Sequence, residues 1–134
     1  MTPAREPVRE YPRPQLRRSA WHSLDGRWRF AWDDQMRHRA PAEVAEWPLE
    51  IEVPFAPECR RSGIGDTGFH RACWYQRDFD IPSTPVDEEG RPTRLTRLHF
   101  GAVDYEASVW VNDVPVAEHQ GGHTPFVADI TEVV

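Results

Sequence analysis

Apolar and polar residues alternate with a period of two along most of this chain, the spacing that puts successive side chains on opposite faces of a β-strand. Trp28, Phe30 and Trp32 oppose Arg27, Arg29 and Ala31, which predicts a strand with an aromatic core face. Ile51 and Val53 form a short strand that Pro54 ends. Tyr75, Arg77, Phe79 and Ile81 oppose Trp74, Gln76, Asp78 and Asp80 in a strand closed by Pro82. Leu95, Leu98, Phe100 and Val103 restart the sheet, and Ala107, Val109 and Val111 oppose Ser108, Trp110 and Asn112. Val114 to Ala117 and Phe126 to Ile130 complete a set of seven short strands.

The punctuation between them is that of an all-β domain. Asn112-Asp113 supplies two residues that tolerate positive φ, as a two-residue hairpin requires. Pro115 lacks a donor, so its strand should lie at an edge or turn that side outward. Gly121-Gly122 permits a sharp change of direction before Pro125. Residues 57–68 read as a long Gly-rich surface loop, residues 85–92 as a solvated acidic turn, and residues 35–47 as a short helical turn or irregular loop. Together these predict an antiparallel β-sandwich, with no internal repeat or low-complexity tract to compete with it.

Length and charge narrow the picture. A chain of 134 residues fits one domain, burying roughly 65–70% of its unfolded surface. Sixteen Arg, no Lys and 22 acidic residues give a net charge of −6, which disfavours nucleic acid or an anionic membrane surface as main partner. Residues 1–20 hold Pro3, Pro7, Pro12 and Pro14 among five Arg and read as an extended arm, leaving residues 21–134 as the sandwich. No apolar run reaches the ~20 residues that span a bilayer, and Met1 is followed by Pro and charge where a signal peptide would be apolar, so a cytoplasmic location is expected. Cys59 and Cys73 match no zinc or redox spacing and read as buried, reduced thiols.

Candidate chemistry is sparse. Asp33 and Asp34 would point to opposite faces if the first strand continued, Asp87 to Glu89 sit in a polar turn, and Asp66 and Asp129 are isolated in sequence. His119 and His123 have a spacing that would suit two metal ligands on a helix, but Gly121, Gly122 and Pro125 rule against the helix. Residues 62–68, SGIGDTG, carry the glycines of a phosphate loop without its Lys-Ser/Thr ending. Trp28, Trp32, Trp74 and Trp110 could offer flat faces to sugar rings, yet their placement within strands favours packing. No catalytic pair, metal site or cofactor is expected, and no substrate-binding residue is assigned.

Five pieces in order carry a resemblance: SLDGRWRFAWDD, IEVPFAPE followed by SGIGDTG, CWYQRDFDIP, and LHFGAVDYEASVWVNDVPVAEHQGGHTPFVADIT. From about Pro12 to the last residue the chain resembles the N-terminal sugar-binding domain of family 2 glycoside hydrolases, the β-galactosidase and β-glucuronidase group. The resemblance implies a galactose-binding-like jelly roll, followed in the family by an immunoglobulin-like sandwich and a (β/α)₈ barrel. The family reaction is retaining hydrolysis by two Glu residues whose carboxyl groups lie ~5–5.5 Å apart, and both belong to the barrel. What the resemblance implies is an accessory domain of a glycosidase, not catalytic alone, whose partners are carbohydrate, through the complete enzyme, and the downstream domains. A jelly roll ordinarily has about eight strands, so a sandwich truncated at its C-terminal end, able to self-associate through an open sheet edge, is expected. A free-standing carbohydrate-binding module and a protein-interaction sandwich remain as alternatives.

Overall fold

A computed structural model describes residues 20–83 and 85–134; apart from Ala20, the extended arm expected over residues 1–20 lies outside the described residues. Seven strands follow in order: β1 (Gly26–Trp32), β2 (Leu49–Val53), β3 (Cys73–Gln76), β4 (Arg97–Phe100), β5 (Glu106–Val111), β6 (Val114–Gln120) and β7 (Phe126–Asp129). Two single 3-10 turns, Pro41–Glu43 and Arg60–Ser62, are the only helical elements among the described residues. Every strand pairing is antiparallel, in a three-stranded sheet β2-β1-β3 and two-stranded sheets β4-β7 and β5-β6. The chain is an antiparallel β-sandwich, as its alternation predicts.

β1 is the middle strand of the three-stranded sheet and carries Trp28, Phe30 and Trp32 on its apolar face. Phe30 pairs with Leu49 of β2 on one side and Tyr75 of β3 on the other, and is completely buried. Its ring meets Trp32 and Tyr75 edge to face, with centroids 4.8 and 5.0 Å apart. Burial of such a side chain contributes about 1.5–3 kcal/mol, and aromatic geometry adds to it. Arg27 and Arg29 occupy the opposite, exposed face as the alternation requires. Ala31 departs from it, being only 6% exposed. Ala31 and the buried Val44 line one cleft, so the irregular segment between β1 and β2 covers the end of the face that alternation assigns to solvent.

A second cluster centres on Val111, Ala128 and Ile130, packed by Leu98 of β4, Val116 and Ala117 of β6, and Val133. Phe79 and Ile81 join it from the segment after β3. The predicted strand through Ile81 stops as a hydrogen-bonded strand at Gln76. The physical reason is local: the Arg77 guanidinium donates to the carbonyls of Leu24 and Asp25 at 2.8 and 2.9 Å, and Asp78 pairs with Arg29. Beyond them the apolar side chains turn to the second cluster, and the backbone of residues 78–81 bonds to no other described residue.

The hairpin forms where Asn112-Asp113 predicts it. Both residues take positive φ, 49° and 63°, between Val111 and its partner Val114. A register shift between Val109 and Trp110 sets Trp110 opposite Pro115, so the irregularity falls beside the residue that lacks an N–H. The Asn112 amide donates to the Val133 carbonyl at 2.7 Å, holding the tip against the last residues. After β6 the chain reverses at Gly121, whose φ is +129° and whose N–H donates to Tyr105 O. A Cβ on Gly122 would lie 2.6 Å from Oδ1 of the exposed Asp104, so any other residue here requires that side chain to turn aside.

Candidate functional site

The densest polar cluster lies where β1 ends. Asp33, with 6% of its surface exposed, does not extend the strand; one carboxylate oxygen accepts the N–H of Arg37 at 2.9 Å and the other that of His38 at 3.0 Å. Trp74 Nε1 donates to it from β3 at 3.2 Å. Burial works to raise the pKa of this carboxyl, but the two backbone donors, the indole and the nearby His38 outweigh it and hold it below the usual range. Asp33 is thus the anchor of a turn, aimed inward for packing.

Asp34 points to the long loop. Its two oxygens lie 3.1 and 3.0 Å from His70 Nδ1, and it accepts the Arg71 N–H at 3.1 Å. On the far edge of the same ring, Nε2 lies 3.1 Å from Asp66 Oδ2. The ring stacks on Trp32 at 3.5 Å between centroids and 10° between planes. Desolvation alone would lower the His70 pKa, but Asp34 and then Asp66 reverse the balance and raise it. Asp66 is held low chiefly by the Gly68 N–H at 2.8 Å and then by His70. Two carboxylates engaged on one imidazole are positioned to fix a loop.

His70 is the residue that sequence reasoning misses, and it brings together Asp34 and Asp66, which look unrelated in sequence. The available signal is the four-residue step from Asp66 to His70 inside a Gly-rich loop. The 3-10 turn of residues 60–62 shapes that loop, with buried Ser62 donating to Cys59 O at 2.7 Å and the Arg61 guanidinium over the Phe55 ring at 4.5 Å.

The other sequence candidates scatter. Asp87 folds back on Arg91 and is held low mainly by that residue's N–H, while Glu89 pairs with the same guanidinium. Asp129 is held low by the Thr131 hydroxyl and N–H. His119 stacks on Phe126 at 4.5 Å, with Nε2 3.2 Å from the Thr124 hydroxyl, while His123 is exposed in the bend that follows β6. No three His, Cys, Asp or Glu side chains converge as a metal site among the described residues. Cys59 and Cys73 are free thiols, but neither residue is buried as expected: Cys59 is half-buried in the loop and Cys73 opens β3 with part of its surface exposed. The Cys73 thiol is nevertheless desolvated and, with Glu58 and Asp34 nearby, is pushed up to about 11.

Trp28, Trp32, Trp74 and Trp110 are half-buried and paired within the protein. Trp28 donates to Leu24 O at 2.8 Å and meets Tyr75 edge-on, Trp74 tilts against Trp110 at 5.4 Å, and one face of Trp32 is covered by His70. Two open clefts flank β1. One, of about 340 Å³, is lined by Trp32, His38, Val44 and Glu46 among others; the second, of about 260 Å³, is lined by Arg27, Trp28, Arg29 and Glu50 with residues 76–78. The first combines an aromatic wall with a carboxylate and an imidazole, the mixture of apolar and polar groups that suits a sugar ring.

Comparison with known proteins agrees with this architecture. Residues 45–134 match the family model described as glycosyl hydrolases family 2, sugar binding domain. Beta-glucuronidase of Canis lupus familiaris is 36% identical over 92% of the chain, and that of Paenibacillus borealis 32% identical over 92%. The Faecalibacterium prausnitzii beta-glucuronidase structure superposes with a TM-score of 0.58 at 29% identity, covering 84% of this chain and 18% of that one. The Ruminococcus gnavus beta-glucuronidase gives 0.56 at 25% identity, with 84% and 19% covered. The chain spans about a fifth of the length of the two curated relatives. Seven antiparallel strands in the expected order, together with a match over residues 45–134, establish that this chain belongs to the sugar-binding domain family of the family 2 glycosyl hydrolases.

Proposed function

We propose that the chain serves as the sugar-binding accessory domain of a retaining glycosidase of the β-glucuronidase type, acting on O-glycosides of glucuronic acid. The observation that carries this is the similarity to beta-glucuronidases along 92% of the chain, in a sandwich whose Asp33, Asp34, Asp66, Asp87 and Asp129 are engaged in turns and ion pairs. Bond cleavage by the complete enzyme needs two carboxyl groups ~5–5.5 Å apart, one as acid/base and one as nucleophile. Here Asp33 is fixed by three donors, and Asp34 and Asp66 share one imidazole. The sandwich supplies scaffold and sugar contacts, and the chemistry belongs to a partner domain.

The test is complementation. The 134-residue chain is co-expressed with the part of a beta-glucuronidase that follows the matched fifth, and hydrolysis of nitrophenyl β-glucuronide and β-galactoside is followed. Hydrolysis of the glucuronide only when both parts are present is expected. Turnover by the chain alone, or no recovery while the two parts co-purify, overturns the proposal. Recovery confined to the galactoside overturns the substrate class.

The outer positions of β2 and β3 in the described three-stranded sheet support the proposal that the isolated chain associates with itself through a sheet edge. Light scattering after size exclusion should show mass rising with concentration; a monomer throughout the accessible range refutes this.

A further inference from the structure

We propose that Asp34, His70 and Asp66 form a proton-operated latch, closed while His70 is an imidazolium, that fixes the loop between β2 and β3 against the end of β1. The inference starts from valence. A neutral imidazole carries one N–H and one lone pair, whereas both ring nitrogens of His70 face carboxylate oxygens, Nδ1 at 3.0 and 3.1 Å and Nε2 at 3.1 Å. In a neutral ring one of these contacts would set a lone pair against a carboxylate at about 3 Å. Only the doubly protonated ring donates to both.

The placement makes the proton structural. Asp34 stands just beyond β1, and Asp66 stands within the loop that connects β2 to β3. Among the described residues the charged groups facing the ring are Asp34 from the β1 end and Asp66 from the loop; Trp32 lies against its face and contributes no charge. The imidazolium therefore bridges two segments that would otherwise present two carboxylates to each other. Beside it, Phe69 stands 90% exposed, so the latch also fixes how this side chain is presented.

The sign of the pH dependence follows. His70 titrates above its ordinary value, so the stabilisation it provides is complete below about 6.5 and is lost as pH rises through the folded-state value. Asp66 titrates below its ordinary 3.8, so its contribution is present above that and is lost as pH falls through the depressed value. The latch is closed between the two titrations and opens on the alkaline side by loss of one proton.

Nuclear magnetic resonance on the 134-residue chain tests this directly. The ring nitrogens of His70 are followed through its titration, and amide exchange of Gly68 and Arg71 is measured against pH after correction for intrinsic rate. The expected result is a ring protonated at both nitrogens at pH 6, with corrected exchange rising about tenfold for each unit by which His70 titrates above 6.5. In His70→Gln the alkaline rise disappears, and in Asp66→Asn the His70 titration moves down. The Trp28 indole resonance, whose N–H donates to Leu24 O and not to the loop, verifies that each variant is folded. A singly protonated ring at pH 6, titration at or below 6.5, or an exchange profile unchanged by His70→Gln would overturn the proposal.

Discussion

Replacing Asp33 with alanine removes the acceptor for three donors at once, the N–H groups of Arg37 and His38 and the indole of Trp74. Hydrogen bonds to a charged group are each worth about 1.5–3 kcal/mol, and bonds that share one acceptor group do not add in full. Arg37 is exposed, so its freed N–H can recruit water, whereas the half-buried Trp74 has less recourse to it. The expected loss is about 2–4 kcal/mol, a large part of the stability of a small domain. Urea unfolding followed by tryptophan fluorescence should show the midpoint falling by roughly 1–2 M for slopes of about 2 kcal/mol per M. Because the Asp33 carboxyl is held below its ordinary 3.8, its contribution is present above that value and fades as pH falls through the depressed one. Asp33→Asn, nearly identical in shape, should therefore be destabilised at pH 7 and approach the parent in strongly acid solution. A midpoint change under about 0.3 M at pH 7, or a deficit independent of pH, would refute the assignment of Asp33 as a charged turn anchor.

Two further outcomes follow from local geometry. Gly122→Ala should cost about 0.5–1.5 kcal/mol, because the Asp104 side chain, with Oδ1 2.6 Å from the new Cβ, must leave its rotamer, whereas Gly101→Ala, with open space around it, should not show this steric cost. Calorimetric melting compares the two, and a second change, Asp104→Ala, should recover much of the loss; equal melting of both single variants sinks the steric account. At pH 8 a Cys73 thiol pushed up to about 11 holds roughly a hundredth of the thiolate of one at 9.0, so alkylation by iodoacetamide should lag a model thiol on the order of a hundredfold until urea unfolds the chain. Peptide mass spectrometry reads this rate, and labelling of the native chain at the model-thiol rate contradicts the desolvation.

Alternation in the sequence announces the seven strands because side-chain periodicity is local, and Asn112-Asp113 announces its hairpin because positive φ is a property of two residues. The strand through Ile81 is misjudged for the same reason: alternation reports which side chains are buried, and Phe79 and Ile81 are indeed packed. It does not report whether a neighbouring backbone is there to pair with. Ala31 likewise breaks its pattern because a segment further along the chain, around Val44, shares its cleft. The polar cluster was legible only in parts. Asp33, Asp34 and Asp66 were visible as acids, but His70 lies 36 positions from Asp34 and meets it only once β1 and the long loop are brought together. The functional class was readable from ordered blocks of sequence, whereas the role of each acid depended on which donor tertiary structure delivered to it.

The bond from the Asn112 amide to the Val133 carbonyl gives the fold a defined exit direction. Polypeptide joined to Val134 departs from beside the β5-β6 turn, steered by a side chain that the hairpin itself holds still. A reporter fused there without a spacer would tumble with the sandwich, and its orientation would be inherited from a single amide at the tip of two strands.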